Sequence, residues 1–560
     1  TVVLCLTFIA VYAFLIRCVH LLNPDHYYII SPDSYFFHWM AELVQSGERV
    51  DYPFIGHAVP TIWHTGITYP LAYIAKAVSF VFGMSPVDAL NFTSKFLPPT
   101  LTVISIMVIY LAVSRIYNQR VALFSAFTWA TLFQAVWIHG AGYLDRDGLS
   151  MLLIMMGAFI FYLSRGWHWR IGNLDLGWVV GTVAVIAIEA LLLLEWVWVG
   201  PVLLLIILTA FFVAEVLAKF FRRIARSLME ADLMTLGRQS PASIVAAIRE
   251  SNWRPFVPII GLSALMGGIS PGFLYMYRLA TWAVREALFP TNAGVPVAEM
   301  QGIGWDSLLG YWVLIIPLVV GLYITLINHR RADLFCLSWF ACLFFIGLLA
   351  ARVFLYTAPA ACIISGLGLA FIWDLEKLRL LHRYIEKSVL RYIKIGSTVL
   401  LLFLLFLSSS LFAYWAYPDP RVAANNNWQD ALIYLRDNTS EEAVIMSWWD
   451  YGYWILDLGE RRPVVDGGFY AYDQERLRDV GLAYCTTEPS EAAEIMEKYE
   501  ADYLVFSRIE EVIMATITRL AEQELTDDSL YNRALSGDFR SDQGLKVVYR
   551  NEEVVILGLE

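Results

Sequence analysis

Three separated stretches of this 560-residue chain set carboxylates between apolar blocks. Ser31-Pro32-Asp33-Ser34-Tyr35 follows the first block, and Gly142-Tyr143-Leu144-Asp145-Arg146-Asp147-Gly148 lies between two later ones. Val297-Ala298-Glu299 stands in a third stretch, among the turn formers Asn292, Gly294 and Gly302. Oxygen ligands of this kind suit hard divalent cations, Mg²⁺ or Mn²⁺. Asp145 and Asp147 repel one another unless something positive sits between or beside them, which makes them the least ordinary of the set. Taken singly, each acid reads more readily as a solvated loop residue, the usual fate of an exposed Asp. Zinc chemistry is disfavoured, because His20, His38, His57, His64 and His139 lack zinc-site spacing and the cysteines form no cluster.

A different chemistry is written at Trp448-Trp449-Asp450-Tyr451-Gly452. Tryptophan pairs near a bilayer often serve as interfacial anchors. Here a carboxylate follows directly and the segment continues into the polar Asp457-Leu458-Gly459-Glu460-Arg461-Arg462, which favours a recognition surface. Downstream, Met514 and Ile517 fall at i and i+3 of a helical pattern, a spacing that by itself reads as core packing.

These residues need a membrane scaffold. Apolar residues are 58% of the chain and charged residues 16%, well under the ~25% of a soluble protein. Apolar blocks over 2–20, 92–113, 121–139, 148–164, 174–194, 198–219, 255–275, 306–327, 333–351, 353–373 and 395–415 predict about eleven spans, with thirteen as the alternative. Helix is the only open form that satisfies the backbone in lipid. The first block lacks a small-residue cleavage site and reads as a retained span. Lys and Arg gather in the loops 115–120, 165–170, 219–254, 329–331 and 377–394, on one face under this count, which marks it as cytoplasmic. Asp33, Asp145, Asp147, Glu299 and everything after residue 416 then share the opposite face. A net charge of −11 without a basic stripe excludes nucleic acid as a partner. The tail alternates strand-like runs at 443–447, 504–506, 547–548 and 554–556 with helical patterns at 424–438, 489–499 and 510–523, predicting an α/β layer of about 140 residues. The expected domains are 1–415, spanning the membrane and carrying the external loops 21–91, 139–147 and 276–305, and 416–560, an extracytoplasmic α/β domain.

In these residues the chain resembles the single-subunit and catalytic-subunit oligosaccharyltransferases, and looks like a short archaeal form. Trp448 to Gly452 is similar to that family's WWDYG signature, Asp33 to its first-loop acid, and Asp145 and Asp147 to its second acidic motif. Glu299 is similar to its outer-loop glutamate and Arg352 to its phosphate-contacting arginine. The resemblance implies a polytopic α-helical membrane fold of the GT-C type. It also implies metal-dependent, inverting transfer of an oligosaccharide from a dolichol-(di)phosphate-linked donor to the asparagine amide of N-x-S/T sequons. Under it, Asp33 and Glu299 orient the amide, and Asp33, Asp145 and Asp147 hold Mn²⁺ or Mg²⁺. Arg352 contacts the donor phosphate, and Trp448, Trp449, Asp450, Met514 and Ile517 read the sequon. The implied partners are the lipid-linked donor, acceptor polypeptides and membrane lipids, and the implied setting is a monomer in the plasma membrane with its site outside. The loop 276–305 is expected to close over bound acceptor.

Residue by residue, alternatives stay open. Arg352, between apolar stretches, is either a functional guanidinium or one that snorkels to the interface. Two other functions compete. A different polyprenyl-phosphate-sugar glycosyltransferase would share the acid after the first span but has no use for Trp448 to Gly452. A flippase or transporter would place charges within apposed spans, a reading to which Glu189, Glu195 and Glu215 give some support.

Overall fold

A computed structural model describes residues 1–22, 29–47, 67–166, 170–171, 174–194, 200–229, 259, 312–328, 330–348, 351–377, 385–415, 424–467, 474–542 and 544–560. Glu299, Glu195, the loop 276–305 and nearly all of the expected span 255–275 lie outside these. The described chain gathers into two compact units, one of residues 1–17, 99–139 and 146–414, the other of residues 18–98, 140–145 and 415–560.

The first unit is helical. It contains α1 (Val2–Arg17), the greater part of α4 (Pro86–Ile116), α5 (Gln119–Thr131), α6 (Phe133–Trp137), α7 (Arg146–Ser164), α8 (Leu176–Leu194) and α9 (Gly200–Met229). It continues with α10 (Ile315–Asn328), α11 (Arg331–Gly347), α12 (Ala351–Phe354), α13 (Ala358–Trp373) and α14 (Lys387–Trp415). Among the described residues five helices are long and apolar enough to cross a membrane, and several shorter apolar helices accompany them. The chain is a multi-pass membrane protein in its helical region.

Two expected spans are interrupted, each for a local reason. The block 121–139 breaks at Leu132, which is extended between α5 and α6. The break frees carbonyls that need partners. The buried Arg17 guanidinium supplies donors, reaching Ala130 O at 3.1 Å, Ala135 O at 3.2 Å and Ala13 O at 2.9 Å. The block 353–373 divides at a 3₁₀ turn, Leu355–Thr357, just before Pro359 in the first turn of α13. Close helix packing depends on glycine. A Cβ on Gly368 would stand 1.9 Å from Pro317 O, and one on Gly321 would stand 1.9 Å from Ile364 O, so α10 and α13 approach backbone to backbone. Glu215 meets Arg165 at 3.0 Å, Arg331 at 3.4 Å and Lys219 at 3.5 Å, a charge compensated locally within the bundle.

The second unit combines α2 (Pro32–Ser46), α3 (Thr68–Phe82) and the start of α4 with the tail. Apart from a small antiparallel pair in the helical unit, β1 (Arg170–Ile171) with β2 (Leu174–Asp175), the strands among the described residues form one six-stranded sheet in the tail. Its members are β3 (Val444–Met446), β4 (Arg462–Pro463), β5 (Tyr503–Ser507), β6 (Ser541–Asp542), β7 (Leu545–Arg550) and β8 (Val554–Leu559), in the order β4-β3-β5-β8-β7-β6. β4, β3 and β5 are parallel, and the β5–β8, β8–β7 and β7–β6 pairs are antiparallel. Around it run α15 (Asn426–Asn438), α16 (Gly452–Asp457), α17 (Gln474–Cys485), α18 (Pro489–Lys498), α19 (Met514–Ala521) and α20 (Leu530–Ser536). The six cysteines are all free thiols.

Candidate functional site

The Trp448–Gly452 segment stands where a parallel sheet places its ligands, beyond the carboxyl end of a strand. β3 is buried along its whole length, Ser447 follows, and Trp448 is extended with 1% of its surface exposed. Trp449–Tyr451 then forms a 3₁₀ turn that passes directly into α16. Gly452 is where the turn becomes helix. A Cβ there would lie 2.3 Å from Val465 O and 2.6 Å from Asp466 Cα, so the glycine of the motif admits the backbone after β4. Tyr451 and Trp454 pack on the buried Trp428, with ring centroids 4.5 and 5.2 Å away.

A buried polar chain holds this turn from behind. The Trp448 N–H donates to Tyr484 Oη at 3.0 Å, and that hydroxyl lies 2.7 Å from Val505 O and 3.1 Å from Glu510 Oε1. The other Glu510 oxygen accepts the Ser507 N–H in a capping box. Burial pushes the Glu510 carboxyl well above the usual carboxylate range, against the Ser507 N–H and the Tyr484 hydroxyl, which favour its charged form. Four residues after Glu510 begins α19, in which Met514 and Ile517 are both buried. A Cβ on Gly481 of α17 would stand 3.3 Å from Ile517 O, so α19 lies close against α17.

Asp33 belongs to the same unit. Ser31 takes a left-handed conformation, φ +75°, and Pro32 opens α2, which leaves Asp33 in the first helical turn where the helix dipole favours a carboxylate. α2 packs on α16 through Phe36 and Tyr453, 4.9 Å between centroids. Tyr35 donates to Ile29 O at 2.9 Å and accepts the Ala424 N–H at 3.2 Å. Asp33 Oδ1 lies 3.5 Å from where a Cβ on Gly467 would stand. Asp450 feels that charge. Desolvation first, then repulsion from Asp33, push its carboxyl up to about 7, although a hydrogen bond from Trp448 works the other way.

The second acidic motif is registered against the first by backbone. Ile30 and Tyr143 form a parallel bridge, Ile30 N–H donates to Gly142 O at 3.1 Å, and Leu144 N–H donates to Ser34 Oγ at 2.8 Å. Gly142, at φ +74°, sends its own N–H to Lys95 O of α4 at 3.1 Å. Asp33 and Asp145 therefore each adjoin one partner of the Ser34–Leu144 bond, and Asp145 is 6% exposed.

Within the helical unit, Asp147 lies in the first turn of α7 and accepts the Tyr356 hydroxyl at 2.8 Å. Tyr356 is fully buried, and its carbonyl accepts Trp339 Nε1–H at 3.2 Å. Arg352 lies in α12, one helical turn before Tyr356, with its side chain outside the described residues. Among the described residues no three Asp, Glu, His or Cys side chains gather as a metal cage. Sequence reasoning gave no role to Tyr356, Tyr484 or Glu510, and weighed His38 only as a zinc ligand. Tyr356 carried a signal, a lone tyrosine within an apolar stretch at i+4 from Arg352, whereas the others are ordinary residues until the fold unites them.

The tail motif and the fold have counterparts. Residues 441–549 match a family profile described as the STT3/PglB/AglB core domain. Over 325 residues, covering 53% of this chain and 40% of the relative, the sequence is 25% identical to dolichyl-phosphooligosaccharide-protein glycotransferase 2 of Pyrococcus furiosus. The archaeal oligosaccharyltransferase AglB from Archaeoglobus fulgidus, solved in complex with an inhibitory peptide and a dolichol-phosphate, superimposes with a TM-score of 0.72. That superposition covers 98% of this chain and 79% of that one at 16% identity. The chain is homologous to the STT3/PglB/AglB oligosaccharyltransferases. The STT3 subunit of the Saccharomyces cerevisiae dolichyl-diphosphooligosaccharide–protein glycosyltransferase is 25% identical over 44% of this chain and 36% of its own. The matched region thus spans about two fifths or less of these curated STT3-family relatives. A polytopic helical region followed by a mixed-sheet tail is the family's architecture, as the resemblance in the sequence implied.

Proposed function

We propose that this protein is an oligosaccharyltransferase that moves a glycan from a dolichol-phosphate or dolichol-diphosphate carrier to the asparagine amide of N-x-S/T sequons, with inversion at the anomeric carbon. One observation carries the reading: the Trp448–Gly452 turn and the Asp33 helix are packed together within one unit, α2 against α16. An amide nitrogen is a poor nucleophile because its lone pair is shared with the carbonyl. Asp33 and Glu299 orient it by accepting its N–H groups, while Trp448, Trp449 and Asp450 hold the hydroxyl two residues further on. Met514 and Ile517 support that pocket, and Arg352 contacts the leaving phosphate.

Asp33, Asp145 and Asp147 would hold Mn²⁺ or Mg²⁺. The all-oxygen donor set fits a hard cation, and the Ser34–Leu144 bond sets the segments of Asp33 and Asp145 side by side. The Tyr356 hydroxyl fixes one oxygen of Asp147. When bound, such a cation stabilises the charge that develops on the departing phosphate. We assign residues 1–415 to a plasma-membrane domain and 416–560 to an extracytoplasmic domain, in a monomer.

The test is incubation of purified protein with lipid-linked oligosaccharide, Mn²⁺ and a fluorescent N-x-T peptide. A mobility shift that vanishes with Asn→Gln in the peptide, is abolished by EDTA and returns with Mn²⁺ is the expected result. Activity that survives chelation would remove the cation, and no shift with active donor would remove the function. Transfer to a hydroxyl or lipid acceptor in place of the peptide would identify the rival glycosyltransferase.

A pH dependence follows from Asp450. The sequon hydroxyl donates more strongly to an ionised carboxylate than to a neutral one, and burial with the charge of Asp33 pushes this carboxyl up to about 7. Peptide affinity of metal-free protein should therefore rise as pH passes from about 6 to 8, and Asp450→Asn should flatten that rise in an anisotropy titration. Stability has the opposite sign. The folded state binds the extra proton between the ordinary carboxylate range and about 7, so stability declines with rising pH across that window and levels off above it.

A further inference from the structure

His38 has been given no role above, yet it is 7% exposed and bonded on both ring nitrogens. Nδ1 lies 2.9 Å from Asp457 Oδ1, and Nε2 lies 3.0 Å from Asn91 Oδ1. The three partners belong to three elements far apart in the chain: His38 to α2, Asp457 to the last turn of α16, and Asn91 to α4.

Each element leads to a different part of the site. α2 begins with Asp33. α16 begins with Gly452 of the recognition turn. α4 carries, one turn beyond Asn91, the Lys95 carbonyl that receives the N–H of Gly142 and so anchors the turn segment leading to Asp145. We propose that His38 is a positioning residue for glycan transfer, its imidazole clamping the helix of Asp33 against the helix of the WWDYG motif and the helix that seats the second acidic motif. This assignment rests on the transferase reading given above.

The geometry suits a clamp better than ordinary packing. With two oxygen acceptors, the ring donates from both nitrogens, the form that fixes its orientation in both directions. Burial alone would strip the second proton, but the Asp457 carboxylate outweighs it with help from Asn91 and Glu42, and the imidazole is raised above its ordinary range. An apolar side chain of similar volume would fill the space and join nothing. Small displacements of a group that must meet the reacting amide are costly, about a hundredfold for 1 Å.

The experiment compares wild type, His38→Ala, His38→Gln and Asp457→Ala as full chains, measuring turnover with saturating donor, peptide affinity by anisotropy without donor, and thermal unfolding. We expect His38→Ala and Asp457→Ala each to lower turnover about tenfold or more, with peptide affinity held within about twofold. The double variant should be no slower than either single one. His38→Gln, which keeps a donor toward Asp457, should recover part of the loss. Unchanged turnover in His38→Ala, or a parallel fall of turnover, peptide affinity and unfolding temperature without recovery in His38→Gln, would overturn the clamp. A wild-type protein that transfers nothing to sequon peptides would overturn the function itself and the clamp with it. An active wild type beside an unaffected variant refutes the clamp alone.

Discussion

The Gly452→Ala variant is expected to lose acceptor-peptide binding and to melt early. The added methyl would stand 2.3 Å from Val465 O and 2.5 Å from Asp466 Cβ. The first is a backbone atom that follows β4, so it cannot swing aside as a long side chain could. Either α16 or the strand end must shift, at a cost of about 3 kcal/mol, and both carry the recognition turn. Thermal unfolding of the full chain in detergent and anisotropy with an N-x-T peptide measure the two losses. A variant with wild-type affinity and unfolding temperature would show that the approach at Gly452 has no bearing on the turn.

Asp33→Asn is expected to separate catalysis from binding. The substitution keeps shape and removes charge, so the amide loses its carboxylate acceptor and the proposed cation loses a ligand. Turnover should fall roughly a hundredfold or more. Peptide affinity should move the other way in metal-free protein near pH 6.5. Asp33 is one of the two causes that raise the Asp450 carboxyl, and without it more Asp450 is ionised to accept the sequon hydroxyl. Improved binding with collapsed turnover is hard to obtain from a folding defect. A joint loss of both together with a lowered unfolding temperature would mean that Asp33 acts on stability, and a joint loss without it would mean that peptide contact outweighs the effect on Asp450.

The residues of the candidate site stood out in the sequence because they are chemically out of place: acids beside apolar blocks, and paired tryptophans ahead of a carboxylate. Helices α1, α4, α7 and α14 followed from the apolar blocks, since lipid leaves the backbone no other open form. Strands β3, β5, β7 and β8 followed from apolar runs bounded by polar turns, while β4 and β6, two residues each, carry too little pattern to be seen. α17 was missed because charged residues occupy much of its exposed face, and its contribution, Tyr484, gains meaning only when Trp448 and Glu510 arrive beside it. The breaks at Leu132 and at Leu355–Thr357 were invisible for a similar reason. Both lie in apolar stretches, and the first is satisfied by an arginine more than a hundred residues away. Periodicity describes a helix but not the long-range donor that permits it to stop.

The placement of β8 has a consequence for how the protein is made. β8 lies between β5 and β7, inside the sheet, although it is the latest of the six strands to be synthesised. When β3 and β5 leave the ribosome they can already pair in parallel, but the far side of β5 presents bare N–H and C=O groups until Val554–Leu559 emerges. During that interval the sheet has an open template edge of the kind that recruits foreign strands. Completion of the sheet beside the Trp448–Gly452 turn is therefore tied to the emergence of residues 554–559. Ribosome pausing just ahead of Val554 would lengthen the exposure, and chains cut short there would arrive as aggregation seeds with the whole WWDYG motif already in place.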